Sequence, residues 1–301
     1  MDSMQGKVCL ITGATGGIGR VTALELARRG ATVVGVGRHA EKCRRAAEQI
    51  RRTADNPHVA YLVADLSALG ETRRVAMEFL DRYDRLDVLI NNVGGYFSQF
   101  QETVDGIELT IALNLLSPFL LTHCLLDRLK ASAPARIINV SSDAHRKGEI
   151  RFADLEGRRR YAGWFAYMQA KLGDILFTHE LARRLAGSGV TANALHPGFV
   201  NTNFAHTSHG LFPYVIRIAQ KLIAISPEQG AQTQVYLASS PAVATVSGKY
   251  FAKSQPAVPA RAAQDPATAA QLWEWAEQMV QPYLEDRGAP APGRGAVQSA
   301  T

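Results

Sequence analysis

The chain has three cysteines in 301 residues, Cys9, Cys43 and Cys124, far apart and without a Cys-x-x-Cys spacing. That excludes a disulfide framework and a zinc-finger type of site, and it fits a reducing cytoplasm. Concentrated charge is also missing: the formal charge is +6, yet the densest basic run, Arg158-Arg159-Arg160, is three residues long and carries no interleaved aromatics. Such a run reads as a solvated loop, and no nucleic-acid partner is expected. No apolar run approaches the roughly 18 residues that a spanning helix needs, and no apolar segment precedes the first strand candidate. A soluble, cytoplasmic protein without a transmembrane segment is the expectation. Low complexity is confined to the Ala/Pro/Gly-rich stretch 288–301, expected to be disordered, while residues 1–287 are expected to form one domain.

What is present is an ordinary globular composition, 47% hydrophobic and 20% charged, arranged with a rhythm. Short β-branched runs alternate with helical stretches, the pattern of parallel βαβ units wound on both faces of a sheet. Strand candidates are Lys7 to Thr12, Thr32 to Val36, Val59 to Val63, Asp87 to Asn91, Arg136 to Val140, Thr191 to Leu195 and Lys249 to Phe251. Helices are expected near Gly17 to Arg29, Glu41 to Thr53, Ala68 to Tyr83, Val104 to Ala131, Gly163 to Leu185, Pro227 to Ala238 and Pro266 to Tyr283. Seven parallel strands in one doubly wound, Rossmann-type α/β domain follow from this reading.

The first strand candidate runs into Thr12-Gly13-Ala14-Thr15-Gly16-Gly17-Ile18-Gly19 and then a helix. Glycines at 13, 17 and 19 permit a tight turn, allow backbone N–H groups to approach a pyrophosphate at the helix N-terminus, and let helix pack closely on strand. Thr15 and Ile18 belong to the same turn. An NAD enzyme usually places a carboxylate at the end of the second strand; here that place holds Gly37-Arg38. The planar fork of Arg38 can grip a 2′-phosphate, so NADP is expected over NAD, although a solvated arginine at a helix start is the plainer alternative. After the third strand, Asp65 of Ala64-Asp65-Leu66 can accept from an adenine amino group or cap the next helix. Asn91-Asn92-Val93-Gly94 closes the fourth strand.

Tyr167 and Lys171 sit four residues apart on an expected helix. A tyrosine titrates near pH ~10, and an ammonium beside it favours the phenolate, which makes the pair a proton donor and acceptor closer to neutrality. Alone, the spacing describes an ordinary helix surface pair.

With the glycine turn, Asn91-Asn92-Val93-Gly94, Ser142, Tyr167-x-x-x-Lys171 and His196-Pro197-Gly198 in that order, the chain resembles the short-chain dehydrogenase/reductase family. Asn139-Val140-Ser141-Ser142-Asp143-Ala144-His145, Ser226-Pro227-Glu228-Gln229-Gly230 and Ser247-Gly248-Lys249-Tyr250-Phe251 resemble its retinol dehydrogenase branch. The resemblance implies that Ser142 binds the substrate oxygen, that Tyr167 is general acid and base, and that Lys171 lowers the Tyr167 pKa and holds the nicotinamide ribose. It also implies that Asn114 orders a water leading to Lys171, a backbone-bonded helix amide being the alternative. Cofactor contacts are implied for Gly13, Thr15, Gly17, Ile18, Gly19, Arg38, Asp65, Leu66, Asn92, Gly94, Tyr167, Lys171, Pro197, Gly198, Val200 and Thr202. Ser141 is expected to face away from the site, and His145 and His196 are given no proton-transfer role.

Ser142 and Tyr167 are separated by 25 positions, which leaves a loop, Arg146 to Trp164, whose Phe152, Tyr161 and Trp164 are candidate wall residues. Residues 199–225 carry an amphipathic stripe that fits core, a lid over a lipophilic substrate, or weak membrane-surface contact. The resemblance implies a homodimer or homotetramer paired through the helices Val104 to Ala131 and Gly163 to Leu185. The membrane retinol enzymes carry an N-terminal apolar anchor that does not stand here, so a soluble reductase of apolar aldehydes or ketones is an equal expectation. The leading reading is an NADP-dependent oxidoreductase moving hydride between nicotinamide and a lipophilic alcohol, aldehyde or ketone. A non-catalytic NADP-binding redox sensor or scaffold, and a nucleotide-sugar epimerase or dehydratase, are the alternatives.

Overall fold

The computed structural model describes residues 3–198 and 225–285. Eight strands form one sheet: β1 Val8–Thr12, β2 Thr32–Gly37, β3 Val59–Val63, β4 Val88–Asn91, β5 Ala135–Val140, β6 Val190–His196, β7 Tyr250–Ala252 and β8 Gln255–Ala257. Their spatial order is β3-β2-β1-β4-β5-β6-β7-β8, and the first seven are parallel. The central strands are apolar on both faces, as a sheet covered by helices on both sides requires; β1, for example, reads Val-Cys-Leu-Ile-Thr with its last four residues buried.

The sequence reading of seven parallel strands is corrected by β8, which pairs antiparallel with β7. Two features hid it. Pro256 sits in the strand, a residue that fits only an edge, and the connecting pair Lys253 and Ser254 adopts positive φ (51° and 60°) where a hairpin turn usually advertises itself with Asn-Gly.

Helices α1 Gly17–Arg28, α2 Ala40–Ala54 and α6 Pro227–Ser239 cover one face, with Ile11, Leu26, Val33, Ile90, Ile138 and Phe251 in the core between. On the other face lie α3 Leu69–Arg82, α4 Leu109–Ala131, α5 Gly163–Arg184 and α7 Pro266–Glu285, over Leu10, Val34, Leu89, Ile137, Phe119 and Phe177. Within the chain, α7 packs across α5, α4 and α3, and Trp273 of α7 meets Phe119 of α4 and Phe177 of α5.

Helix α4 departs from expectation twice. It begins at Leu109 rather than near Val104, because the buried Glu108 carboxylate accepts from the N–H groups of Thr110 and Ile111 (2.8 and 2.9 Å) and caps the helix there. It is also, over Leu109–Ala131, long and apolar enough to cross a membrane by length and composition. The interruptions at Asn114 and Ser117-Pro118 concealed that in the sequence. Because most of its apolar length is buried in the fold, it is placed as a core helix.

Strand order reverses between β1 and β4, which run to β2 and β5 on either side. That switch point leaves a crevice beyond the carboxyl ends of the strands, the place where doubly wound sheets hold ligands.

Candidate active site

A cavity of about 740 Å³ occupies the crevice and runs from the β1–α1 turn to Tyr167. Gly13, Thr15, Gly17, Ile18, Gly19, Arg38, Asp65, Leu66, Asn92, Gly94, Ser142, Tyr167, Lys171, Pro197 and Gly198, all expected at the site, line it. Val200 and Thr202 lie outside the described residues, as does the amphipathic stretch except Ile225.

At one end the backbone does the work. Gly13 has φ +67°, and a Cβ on Gly19 would collide with the Gly13 carbonyl oxygen, so the turn closes only with glycine at both places. Helix α1 begins with no side chain capping its first N–H groups, leaving its positive end directed into the cavity. These features fit the pyrophosphate of a dinucleotide. Asn92 fixes the turn from below: its Nδ2 donates to the Thr12 carbonyl oxygen (2.8 Å) and its Oδ1 accepts from Gln234 Nε2 (3.0 Å). Asn92 therefore serves the cofactor end as a staple of the turn, whereas the neighbouring Asn91 points the other way, to Asn139 (2.8 Å) and Thr122 (3.1 Å).

Arg38, at the end of β2, is exposed, lines the cavity, and makes no ion pair among the described residues. Asp65 is exposed as well. It does not cap α3: its Oδ1 accepts from the Ser67 N–H (3.1 Å) and hydroxyl (2.8 Å), while the first turn of α3 is met by Asp105, whose carboxylate accepts from the Leu69 N–H (2.8 Å).

At the other end side chains converge. Ser141 and Ser142 follow β5, and Ser141 does not face away as expected, since both line the cavity and both bond to α5: the buried Ser141 hydroxyl donates to the Lys171 carbonyl oxygen (2.6 Å), and the Ser142 hydroxyl accepts from the Ala144 N–H (3.2 Å) and hydrogen-bonds with Tyr167. Helix α5 carries Tyr167 and Lys171 on one face. Lys171 Nζ lies 5.9 Å from the Tyr167 ring centre and donates to the Val140 carbonyl oxygen (2.9 Å) and to Asp174 (2.9 Å). Burial pushes the Tyr167 phenol up and outweighs the opposing pull of Lys171 and Ser142, so its pKa lies above the ordinary tyrosine value. That corrects the expectation of a net lowering: Lys171 acts in the predicted direction, but removing the phenolate from water costs more.

Asn114 sits in a π-helical turn, Ala112–Leu116, within α4, a local widening that frequently marks functional positions. Its Nδ2 donates to the carbonyl oxygens of Gly95 (3.0 Å) and Thr110 (2.8 Å), and its Oδ1 accepts from the Gly95 N–H (3.0 Å). The backbone-bonded alternative describes this geometry. It clamps the Gly94-Gly95 floor against the site: a Cβ on Gly94 would stand 2.8 Å from Asn114 Oδ1 and 3.4 Å from Lys171 Nζ.

Of the wall candidates only Trp164 reaches the cavity, stacked on Tyr167 at 5.6 Å between ring centres. Tyr161 instead braces the connection before α4, donating to the Phe97 carbonyl oxygen (3.0 Å), and Phe152 packs against the core with Leu155 and Leu172. The remaining wall, Phe97, Gln101, Leu109 and Leu113, comes from the segment after β4, and Tyr96 meets the Tyr167 ring edge-on at 6.3 Å. Sequence reading missed this wall. The aromatics Tyr96, Phe97 and Phe100, directly behind Gly94-Gly95, were its visible signal.

His145 and His196 are tied structurally. His145 Nδ1 donates to the Ser142 carbonyl oxygen (2.7 Å) while its Nε2 accepts from the Ala260 N–H (3.1 Å), which fixes a neutral ring; burial holds its pKa below the usual histidine value. His196 Nδ1 accepts from the Gly198 N–H (3.2 Å) and stabilises the proline turn.

Comparison with known proteins agrees with this site. The short chain dehydrogenase family matches residues 7–209. Human retinol dehydrogenase 13 is 45% identical over 283 residues, covering 92% of this chain and 86% of that protein. Among solved structures, an uncharacterised protein from Mycobacterium paratuberculosis superposes with a TM-score of 0.76 at 37% identity, covering 93% of this chain and 96% of that one. The Pseudomonas aeruginosa RhlG/NADP active-site complex gives a TM-score of 0.66 at 28% identity, covering 83% and 95%. The glycine turn at the switch point, the Ser142, Tyr167 and Lys171 cluster, and these likenesses agree: the chain belongs to the short-chain dehydrogenase/reductase family, in its retinol dehydrogenase-like branch, and is an NAD(P)-dependent oxidoreductase.

Proposed function

We propose that the enzyme uses NADP in preference to NAD and interconverts a lipophilic alcohol with its aldehyde or ketone. The single observation that carries this reading is the continuity of one cavity from Arg38, through the glycine turn, to an aromatic and aliphatic wall around Tyr167. Arg38 supports the cofactor preference. It stands at the end of β2 where a carboxylate would favour a ribose hydroxyl, and a guanidinium is matched to a phosphate. Trp164, Phe97, Leu109 and Leu113 support an apolar substrate, because they offer surface and few groups for a polar one to bond.

A bound nicotinamide supplies or accepts the hydride. The chain's own residues handle the rest. Ser142 donates a hydrogen bond to the substrate oxygen, which gains negative charge in reduction. Tyr167 gives its proton to that oxygen, or takes it back in oxidation. Lys171 stabilises the phenolate that is left, and Asn114 holds the floor on which Gly94 and Gly95 approach the site. Gly13, Gly17 and Gly19 bind the pyrophosphate with backbone N–H groups, with Pro197 and Gly198 at the nicotinamide end.

Initial rates with NADPH and NADH over a series of aliphatic and polyene aldehydes test this. A lower KM for NADPH, lost in Arg38→Ala, and a KM that falls as the aldehyde chain lengthens are expected. Preference for NADH unchanged by that substitution, or turnover restricted to polar carbonyl compounds, would contradict it.

A further inference from the structure

One buried acid next to the reacting groups has no part in the proton transfer just described. Asp174 lies one turn beyond Lys171 on α5, with 3% of its surface exposed, and its Oδ2 accepts from Lys171 Nζ at 2.9 Å. Lys171 is 4% exposed and Tyr167 6%. Spacings of four and three residues put Tyr167, Lys171 and Asp174 in one stripe along the helix. The stripe is pinned from the sheet: Thr178 Oγ1 donates to the Asp174 carbonyl oxygen (2.6 Å), and Asn139 Nδ2 of β5 donates to Thr178 Oγ1 (2.9 Å). A side chain so enclosed cannot leave its partner without breaking the packing of α5 on β5.

We propose that Asp174 is a positioning residue for the catalytic pair, its carboxylate anchoring the Lys171 ammonium and its negative charge opposing the pull of Lys171 on the Tyr167 proton. This rests on the hydride-transfer reading above. The consequence is that Asp174 helps set the pH at which Tyr167 gives up its proton.

Among the described residues, the other groups that face the stripe are neutral. They are the Val140 carbonyl from β5, the Asn114 amide from α4, the Ser141 and Ser142 hydroxyls and the phenol of Tyr96. Both Lys171 and Asp174 act on Tyr167, the first drawing its pKa down and the second raising it. Burial lifts the Asp174 carboxyl to about 6, with Lys171 opposing. Lys171 stays protonated because Asp174 and Tyr167 outweigh the cost of its burial.

Asp174→Asn keeps an oxygen that accepts from Lys171 and removes the charge; Asp174→Ser removes the charge and, with its shorter side chain, the reach to Lys171. The first readout needs no cofactor: the ultraviolet tyrosinate absorbance that disappears when Tyr167→Phe is added to each background reports ionisation of this one phenol. In Asp174→Asn it is expected to appear at lower pH than in the unsubstituted enzyme. The second readout is the pH dependence of kcat for alcohol oxidation, whose rising limb is expected to move to lower pH in the same variant, with the Kd for NADPH retained. Asp174→Ser is expected to move the limb in the same direction and also to weaken NADPH binding several-fold, because Lys171 loses its anchor. Superimposable tyrosinate titrations in folded Asp174→Asn and Asp174→Ser would overturn the proposal, and so would a uniform fall in kcat with no movement of the limb. If the unsubstituted enzyme turns over no alcohol or carbonyl compound, the hydride-transfer reading fails, while the tyrosinate titration still decides whether Asp174 acts on Tyr167.

Discussion

The two ends of the cavity are built by different means. At the cofactor end, shape comes from backbone: the Gly13 and Gly19 turn, the uncapped start of α1, and the Asn92 staple beneath them. At the substrate end, shape comes from side chains where long connections meet helices: Phe97 and Gln101 on the connection behind β4, Leu113 early in α4 and Trp164 in the first turn of α5. A backbone site admits almost no substitution and binds one ligand class. A wall of side chains on connections can change its lining while the strands beneath stay put, which is how one fold serves many substrates.

That contrast can be broken from either side. The largest effect belongs to the junction: Tyr167→Phe should lower kcat by about 10²–10⁴-fold, the range of a lost general acid, with NADPH binding measured by fluorescence left intact. Loss of binding in parallel would mean that the ring, rather than its hydroxyl, is what the site requires. Gly19→Ala should come next. Its Cβ meets the Gly13 carbonyl oxygen, and relief of such overpacking costs about 1–3 kcal/mol, so a lower Tm and a much weaker Kd for NADPH are expected together. Arg38→Ala should raise the KM for NADPH by about ten- to a hundred-fold, the worth of one charge-assisted contact, with NADH unaffected. Trp164→Ala should be mildest, raising the KM for long apolar aldehydes about ten-fold with the NADPH Kd unchanged. Equal effects of the last two substitutions on both ligands would erase the distinction between the ends.

Away from the cavity, Asp87 offers a test of the frame that supports it. Burial raises the Asp87 carboxyl, but bonds from Arg85, Lys7 and the Val8 N–H outweigh that and hold it below its ordinary value. A depressed carboxyl contributes stability above its unfolded pKa, near ~4, and loses it as pH falls through the folded value. Asp87→Asn should therefore lower Tm by about 2–4 °C at pH 7, a difference that shrinks in acid. A gap that stays constant down to pH 3 would assign the loss to packing instead.

The same contrast explains what the sequence made legible. Gly13, Gly17 and Gly19, Ser142, Tyr167 and Lys171 announce themselves because each is a residue type that one geometry or one reaction demands at a fixed spacing. The parallel core was legible for a related reason: strands buried on both faces are apolar throughout. The substrate wall was not. Phe97 and Leu113 become neighbours only after the connection behind β4 folds back, and Tyr161 and Phe152 have the composition of wall residues but find partners elsewhere. The balance at Tyr167 was hidden too, because burial and the Asp174 charge act through tertiary packing, whereas the spacing to Lys171 reveals only the favourable half. Edge strand β8 escaped because Pro256 and the Lys253-Ser254 turn are weak signals in isolation.

Mass spectrometry of the product is the most direct test of the chemistry assigned to this cavity. The enzyme would be given an apolar aldehyde and NADPH deuterated at its transferable nicotinamide carbon. Coupled hydride and proton transfer at Ser142, Tyr167 and Lys171 predicts an alcohol carrying one deuterium at the former carbonyl carbon, formed at least about 10²-fold more slowly by Tyr167→Phe at the same cofactor occupancy. Alcohol formed without the label, or labelled alcohol formed equally well by Tyr167→Phe, would contradict it.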